Sequence, residues 1–123
     1  MIKIISKDAK MAGAKPFVDK KLKQRKVLLF SKTYSPTCNE IKTILEGYGL
    51  KFPNYEVVEI ESRQDCNQIE NYFQILCLTD RRDVPQLFLD GKYVGGEKEI
   101  HLLHKSGDLG KMLVTSGALK RTS

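Results

Sequence analysis

Residues 30–38 read FSKTYSPTC and join the end of an apolar run to the start of a helical pattern. The apolar run is VLLF at residues 27–30, which is the short continuous type expected of a buried strand. Downstream, apolar residues recur from Ile41 to Tyr48 at the spacing of an amphipathic helix. The strand and the helix therefore meet near Ser35 and Cys38, at the carboxyl end of a strand, where open α/β sheets usually carry their functional site.

The rest of the chain alternates between helical and strand patterns. Asp90-Gly91 between two apolar segments predicts a hairpin turn. A strand–helix–strand unit requires parallel pairing and the hairpin adds antiparallel strands, so the sheet must be mixed and covered by helices. We therefore predict an α/β, thioredoxin-like domain with a four-stranded mixed sheet sandwiched between helices. The predicted order is helix, strand, helix, strand, helix, strand, strand, helix, helix.

The charge of the chain is unevenly distributed. The net charge is +6 over 123 residues, but residues 1–26 hold nine Lys/Arg against two Asp, whereas residues 27–123 hold twelve against thirteen acids. The basic segment lacks interleaved aromatic residues and any recognition motif, so nucleic-acid binding is not expected. We expect a basic, flexible leader at residues 1–14 and a single domain at residues 15–123.

Membrane and metal functions find little support in the sequence. No apolar stretch approaches the roughly 20 residues that a membrane span needs. The cysteines Cys38, Cys66 and Cys77 are too scattered for a disulfide framework or a zinc site. We expect a soluble, cytoplasmic protein with reduced thiols and no metal, in which His101 and His104 lie on helix surfaces or in packing positions and do not act as ligands.

The junction at residues 32–38 has two explanations that the residues alone leave open. Serine is among the best N-cap residues and proline is favoured at the first helical position, so Ser35-Pro36 has a complete structural explanation. However, the start of a helix presents open N–H groups, and Lys32 adds a cation nearby. These are the conditions that lower the pKa of a reactive thiol.

The chain resembles the glutaredoxin family. FSKTYSPTC resembles the family's active-site segment, in which phenylalanine, serine and lysine are followed by two residues and then Cys-Pro-Tyr-Cys. The resemblance runs from Phe17 to Leu119 and implies a monomeric, glutathione-dependent disulfide oxidoreductase with glutathione as co-substrate and glutathionylated or disulfide-containing proteins as partners. The further motifs, in family order, are DVP at 83–85 for Thr-Val-Pro with its cis-proline, DGK at 90–92, GG at 95–96 and SGDL at 106–109.

The resemblance also implies roles for particular residues. Ser35 stands at the position of the nucleophilic cysteine, and Cys38 at that of the more buried resolving thiol. Lys32 would face the glycine carboxylate of glutathione, and Val84 would pair with the cysteinyl unit through its backbone. The expected catalytic positions are Ser35 and Cys38, and the expected glutathione-binding residues are Lys32, Thr37, Val84, Pro85, Gly95, Gly96, Glu97 and Lys98.

Several residues depart from the family pattern. A serine hydroxyl without an adjacent base is almost wholly protonated at neutral pH, so Ser35 implies little or no activity. Thr37 replaces the usual aromatic residue, and Asp83 replaces a threonine. Glu70 stands where a glutamine often meets the glycine carboxylate, and Lys98 replaces an aspartate near the glutamyl amine. Each is expected to repel its ligand group and to lower the affinity for glutathione.

Three functions stay open on this evidence. In the first, the chain is a dithiol glutaredoxin in which the nucleophilic cysteine at position 35 was deliberately replaced by serine. In the second, it is a natural member without the nucleophile that serves as a glutathione- or protein-binding module, which the further changes at Glu70, Asp83 and Lys98 favour. The third is an iron–sulfur carrier. Ser35 argues against it, because the serine removes the first thiolate ligand of the cluster.

Overall fold

The computed structural model describes residues 14–76 and 83–119, in which five helices and four strands follow the predicted order. Residues 1–13 of the expected leader and Cys77 lie outside the described residues, while Ala14 is buried at the start of the first helix. The elements are α1 (Ala14–Gln24), β1 (Val27–Ser31), α2 (Pro36–Gly47), β2 (Tyr55–Glu59), α3 (Cys66–Leu76), β3 (Gln86–Leu89), β4 (Lys92–Gly95), α4 (Glu97–Ser106) and α5 (Asp108–Thr115).

The sheet has the strand order β2-β1-β3-β4 and is mixed, as predicted. β1 runs parallel to β2, with Leu29 opposite Val57, and antiparallel to β3, with Leu29 opposite Leu87. β3 and β4 form the predicted hairpin, in which Asp90 and Gly91 have φ values of 53° and 81°. Positive φ at two successive residues is what a tight hairpin turn of the favoured hand requires.

Helices cover both faces of the sheet. The side chains of β1 alternate between two cores: Leu28 and Phe30 pack with α1 and α3, whereas Val27 and Leu29 pack with α2, α4 and α5. This central strand is therefore buried on both sides, and the chain leaves its carboxyl end between the two helical layers. No helix among the described residues is long and apolar enough to cross a membrane.

Lys21 of α1 and Arg25, which directly follows this helix, hold the edge strand β2. The carboxylate of Glu56 accepts hydrogen bonds from Lys21 Nζ at 2.9 Å and from Arg25 Nε at 2.6 Å, and all three side chains are mostly buried. Burial alone would raise the pKa of Glu56, but the hydrogen bonds from Arg25 and Lys21 outweigh it and hold that pKa below its usual value. The ionised form of Glu56 thus stabilises the contact between α1 and the sheet.

Glu56→Gln is expected to lower the free energy of unfolding by about 1 to 2 kcal/mol near neutral pH, because two charged donors lose their carboxylate. The contribution of Glu56 is fully present above the pKa of an unfolded glutamate, about 4.3, and is lost as the pH falls through the lower pKa of the folded state. Urea unfolding of both proteins from neutral to acid pH measures this difference. The exposed Glu46→Gln is the control, and equal stability of parent and Glu56→Gln at neutral pH would contradict the expectation.

Candidate active site

Ser35 is the N-cap of α2, which confirms the structural explanation of Ser35-Pro36. Its backbone is extended, with φ −85° and ψ 117°, and its Oγ accepts a hydrogen bond from the backbone N–H of Cys38 at 3.2 Å. Pro36 is the first residue of the helix, where its missing N–H is not needed. Among residues 14–76 and 83–119, neither a histidine nor a carboxylate is hydrogen bonded to this hydroxyl, so the described contacts include no base that could activate it.

Cys38 lies one turn into α2 and is fully buried. As expected, Cys38 is more deeply buried than Ser35. Because thiol–disulfide exchange requires direct approach of one sulfur to another, a fully buried thiol cannot meet a protein substrate without movement of the helix. Cys38 is therefore a packing residue in this conformation.

A groove of about 290 Å³ opens beside Ser35. It brings together residues from the start of α2, from the segment before β3 and from the start of α4. Seven of the ten predicted site residues line it, while Lys32, Cys38 and Gly95 do not. The lining residues are Ser35, Thr37, Asp83, Val84, Pro85, Gln86, Gly96, Glu97 and Lys98.

Hydrogen bonds hold the segment before β3 in place. The Val84–Pro85 peptide bond is cis, in agreement with the expectation from the family motif. The buried Gln86 donates from Nε2 to the carbonyl oxygen of Asp83 at 2.7 Å and accepts from the hydroxyl of Tyr93 at 2.7 Å. Gln86 was missed as a site residue, and its position directly after the proline motif was the signal that could have found it.

The side chain of Glu99 caps the start of its own helix, α4. The backbone N–H of Gly96 donates to Glu99 Oε1 at 2.8 Å, so this amide is already paired within the chain. Gly95 has φ 151°, and a Cβ there would overlap the side chain of Glu99. The glycine is therefore required for this close approach. The first amides of the helix, those of Glu97 and Lys98, have no acceptor within the helix, and both residues line the groove.

Lys32 forms an ion pair with Glu70 of α3. Lys32 Nζ donates to Glu70 Oε2 at 2.9 Å, and only 19% and 13% of the two side chains are exposed. The hydrogen bond to Glu70 raises the pKa of Lys32. The carbonyl oxygen of Lys32 accepts from the backbone N–H of Ser35 at 3.1 Å, so both residues belong to the turn that leads into α2.

Thr33 is held by Glu61, a second contact that sequence reasoning missed. Glu61 accepts hydrogen bonds from the backbone N–H of Thr33 at 3.1 Å and from its hydroxyl. The hydrogen bond from the Thr33 hydroxyl lowers the pKa of Glu61. This contact fixes the loop that carries Lys32 and Ser35, and no short-range pattern in the sequence indicates it.

The comparisons with known proteins decide the family. The glutaredoxin family model matches residues 27–94. Glutaredoxin-1 of Sus scrofa is 35% identical over 107 residues, which cover 87% of this chain and 99% of that protein. A glutaredoxin of Ricinus communis is 36% identical over 93 residues, which cover 76% of this chain and 86% of that protein. The chain belongs to the glutaredoxin family.

Solved glutaredoxin structures share the fold. A buckwheat glutaredoxin–glutathione complex superimposes with a TM-score of 0.78 at 27% identity, covering 91% of this chain and 97% of that chain. Reduced glutaredoxin C1 from Populus tremula x tremuloides gives a TM-score of 0.79 at 27% identity, covering 93% of each chain. The predicted thioredoxin-like fold of this glutaredoxin is confirmed.

Within the described part of this glutaredoxin, the second thiol, that of Cys66, and the two histidines lie apart from the groove lining. Cys66 is half-buried at the start of α3, and burial raises the pKa of its thiol. His104 Nδ1 shares a hydrogen bond with the hydroxyl of Tyr48 at 2.6 Å. His101 Nε2 lies 2.9 Å from Glu40 Oε1, and with Glu97 these residues place three possible metal ligands within 4.8 Å of one another. All three are partly or fully exposed, and a contact between α2 and α4 explains the pair of His101 with Glu40.

Proposed function

We propose that this chain binds glutathione or a closely related peptide in the groove beside Ser35 and catalyses disulfide exchange weakly or not at all. The observation that carries this proposal is the state of positions 35 and 38. A hydroxyl caps the helix where the family has its nucleophilic thiol, and the remaining thiol of the motif is fully buried. Six of the eight expected glutathione-binding residues, in contrast, still line one groove.

The chemistry of the family explains why the serine matters. In disulfide exchange a thiolate attacks one sulfur of a disulfide, a new sulfur–sulfur bond forms, and the other sulfur leaves as a thiolate. The hydroxyl of Ser35 is a poor nucleophile without a base, and its product with sulfur would not be a disulfide. The chain therefore retains the groove and loses the reacting atom.

Support for glutathione as the ligand comes from charge and from a relative. The open amides at the start of α4 suit a peptide carboxylate. The buckwheat relative was solved in complex with glutathione. Shifts of amide signals from Thr37, Val84 and Gly96 during a glutathione titration, without turnover of a glutathionylated peptide, are the expected result.

The pair of Lys32 with Glu70 favours a natural binding module over a deliberately inactivated enzyme. An introduced serine would alter one position, whereas Glu70, which forms this ion pair, is a second departure from the family pattern. A partner protein that docks on the groove is compatible with this form of the function. The native codon at position 35 decides between the two origins. The cytoplasmic location stays a prediction.

Lys98→Asp is expected to increase the affinity for glutathione by roughly 3- to 10-fold, because it replaces a repelled cation near the ligand's amine by an attracting carboxylate. The side chain of Lys98 is exposed, and solvent screening therefore limits the gain. Amide shifts followed during a glutathione titration give both dissociation constants. The exposed Lys51→Asp, in the loop before β2, controls for the change in net charge. Weaker binding by Lys98→Asp would mean that Lys98 contacts a ligand carboxylate.

A further inference from the structure

Three side chains that carry metal-binding atoms meet where α2 and α4 pack together. Glu97 and His101 lie four residues apart on α4, which places them on the same face of that helix. Glu40 reaches the same point from α2. His101 Nε2 lies 2.9 Å from Glu40 Oε1 and 4.0 Å from Glu97 Oε2, and the three ligand atoms all lie within 4.8 Å of one another. Two helices therefore bring one imidazole and two carboxylates to a single point.

The contact between the helices accounts for only part of this cluster. A neutral imidazole carries one N–H, so His101 Nε2 can donate to only one of the two carboxylates. Among residues 14–76 and 83–119, neither Glu40 nor Glu97 forms an ion pair with a lysine or an arginine. Two like charges thus lie close together around a single imidazole, and a bound cation would relieve their repulsion.

The distances in the cluster suit a small metal ion. Zinc binds histidine nitrogen and carboxylate oxygen at about 2.0 to 2.2 Å, so two ligands at a tetrahedral angle lie about 3.4 Å apart. The distances from His101 Nε2 to the two carboxylates, 2.9 and 4.0 Å, lie on either side of this value. Both glutamates are exposed, so their side chains can close the remaining difference by rotation while the helices stay in place.

The donor set selects the class of metal. Imidazole is a good ligand for Zn²⁺, Ni²⁺ and Cu²⁺, whereas Mg²⁺ and Ca²⁺ take oxygen ligands almost exclusively. Two carboxylates balance the charge of a divalent ion. Three protein ligands leave the remaining coordination positions to water, as in other sites that have one open position.

We propose that Glu40, Glu97 and His101 form a binding site for a divalent transition-metal ion such as Zn²⁺. The bound ion joins α2 to α4, and both helices contribute residues to the groove beside Ser35. The site does not depend on the proposed function, because no part of the exchange reaction or of a peptide ligand enters it. Spacing in the sequence does not indicate it, since Glu40 and His101 are 61 positions apart.

The test is a calorimetric titration with Zn²⁺ alone, in a Cys66→Ser, Cys77→Ser background so that these two thiols do not compete for the metal. His101→Gln is expected to weaken zinc binding by roughly 10-fold or more, because it removes the nitrogen ligand. The matched control is His104→Gln, which removes the second of the two histidines in the chain and should leave the affinity within about twofold. Mg²⁺ at the same concentrations should show no comparable binding.

Nuclear magnetic resonance of the imidazole nitrogens gives a second measurement in the unsubstituted chain, since thiols do not contribute to these signals. Zinc is expected to shift the Nε2 signal of His101 and to leave the signals of His104 in place. Equal zinc affinity of the parent and His101→Gln, or a His101 signal that zinc does not move, would overturn the proposal. Unchanged affinity in Glu97→Gln would remove the third ligand and with it the site as proposed, and equal binding of Mg²⁺ would show a non-selective acidic cluster instead.

Discussion

Ser35→Cys is expected to raise the turnover of a glutathionylated peptide by roughly 100-fold or more over the parent chain, because it restores the sulfur that the reaction requires. The position is favourable for a thiolate. It caps a helix of twelve residues, whose open amides and positive end stabilise an anion, and the ammonium of Lys32 belongs to the same loop. A coupled assay with glutathione and a glutathionylated peptide measures the rates of both proteins.

The matched control for this change is Ser62→Cys, which adds an exposed thiol in the loop after β2. If the effect depends on position, Ser62→Cys should turn over substrate no faster than the parent. Substantial turnover by the parent would refute our view that a nucleophile is missing. An inactive Ser35→Cys that still binds glutathione would show that the groove no longer aligns the substrate with position 35.

Phe30→Ala is expected to cost about 3 to 5 kcal/mol of the free energy of unfolding, the usual range for removing a buried phenylalanine. Phe30 is fully buried in β1, and its ring centroid lies 5.1 Å from that of Phe73 and 5.9 Å from that of Phe88. These rings belong to β1, α3 and β3, so a cavity at this point weakens contacts of the sheet with a helical layer. A loss of this size approaches the total free energy of unfolding of a small domain.

Urea unfolding of the parent and of Phe30→Ala measures this loss directly. Tyr34→Ala is the control, because its side chain is 69% exposed and its removal leaves no cavity. If Phe30→Ala does not fold, the free energy of unfolding is measured for the smaller truncation Phe30→Leu, which should also be less stable than the parent. A loss below about 1 kcal/mol for Phe30→Ala would mean that the core closes around the missing ring.

The fold could be predicted because its signals are local. Continuous apolar residues predicted the strand β1, the apolar spacing from Ile41 to Tyr48 predicted the helix α2, and Asp90-Gly91 predicted the hairpin turn. Each of these patterns depends on neighbours within a few residues. Tertiary packing did not override any of them.

The candidate site and the loop that carries Ser35 could be predicted only in part, because the side chains that pair there are distant in the chain. Lys32 and Glu70 are separated by 38 positions, and the resemblance assigned both of them to the ligand. Their mutual ion pair follows from the packing of α3 beside the loop after β1. Similarly, nothing near Thr33 in the sequence indicates that Glu61 would hold it from 28 positions away.

The carboxylates of β2 also concern the solubility of the protein. β2 lies at an edge of the sheet, where unpaired backbone groups offer a template for a strand of another molecule. Glu56 is held by Lys21 of α1 and by Arg25, and Glu59 is held by Lys42 of α2 at 2.7 Å, so charged pairs lie on both faces of this strand. Another copy that approached along this edge would meet these charged side chains and their ion pairs. Charged side chains on both faces of the strand therefore make this edge a poor template for pairing with another molecule.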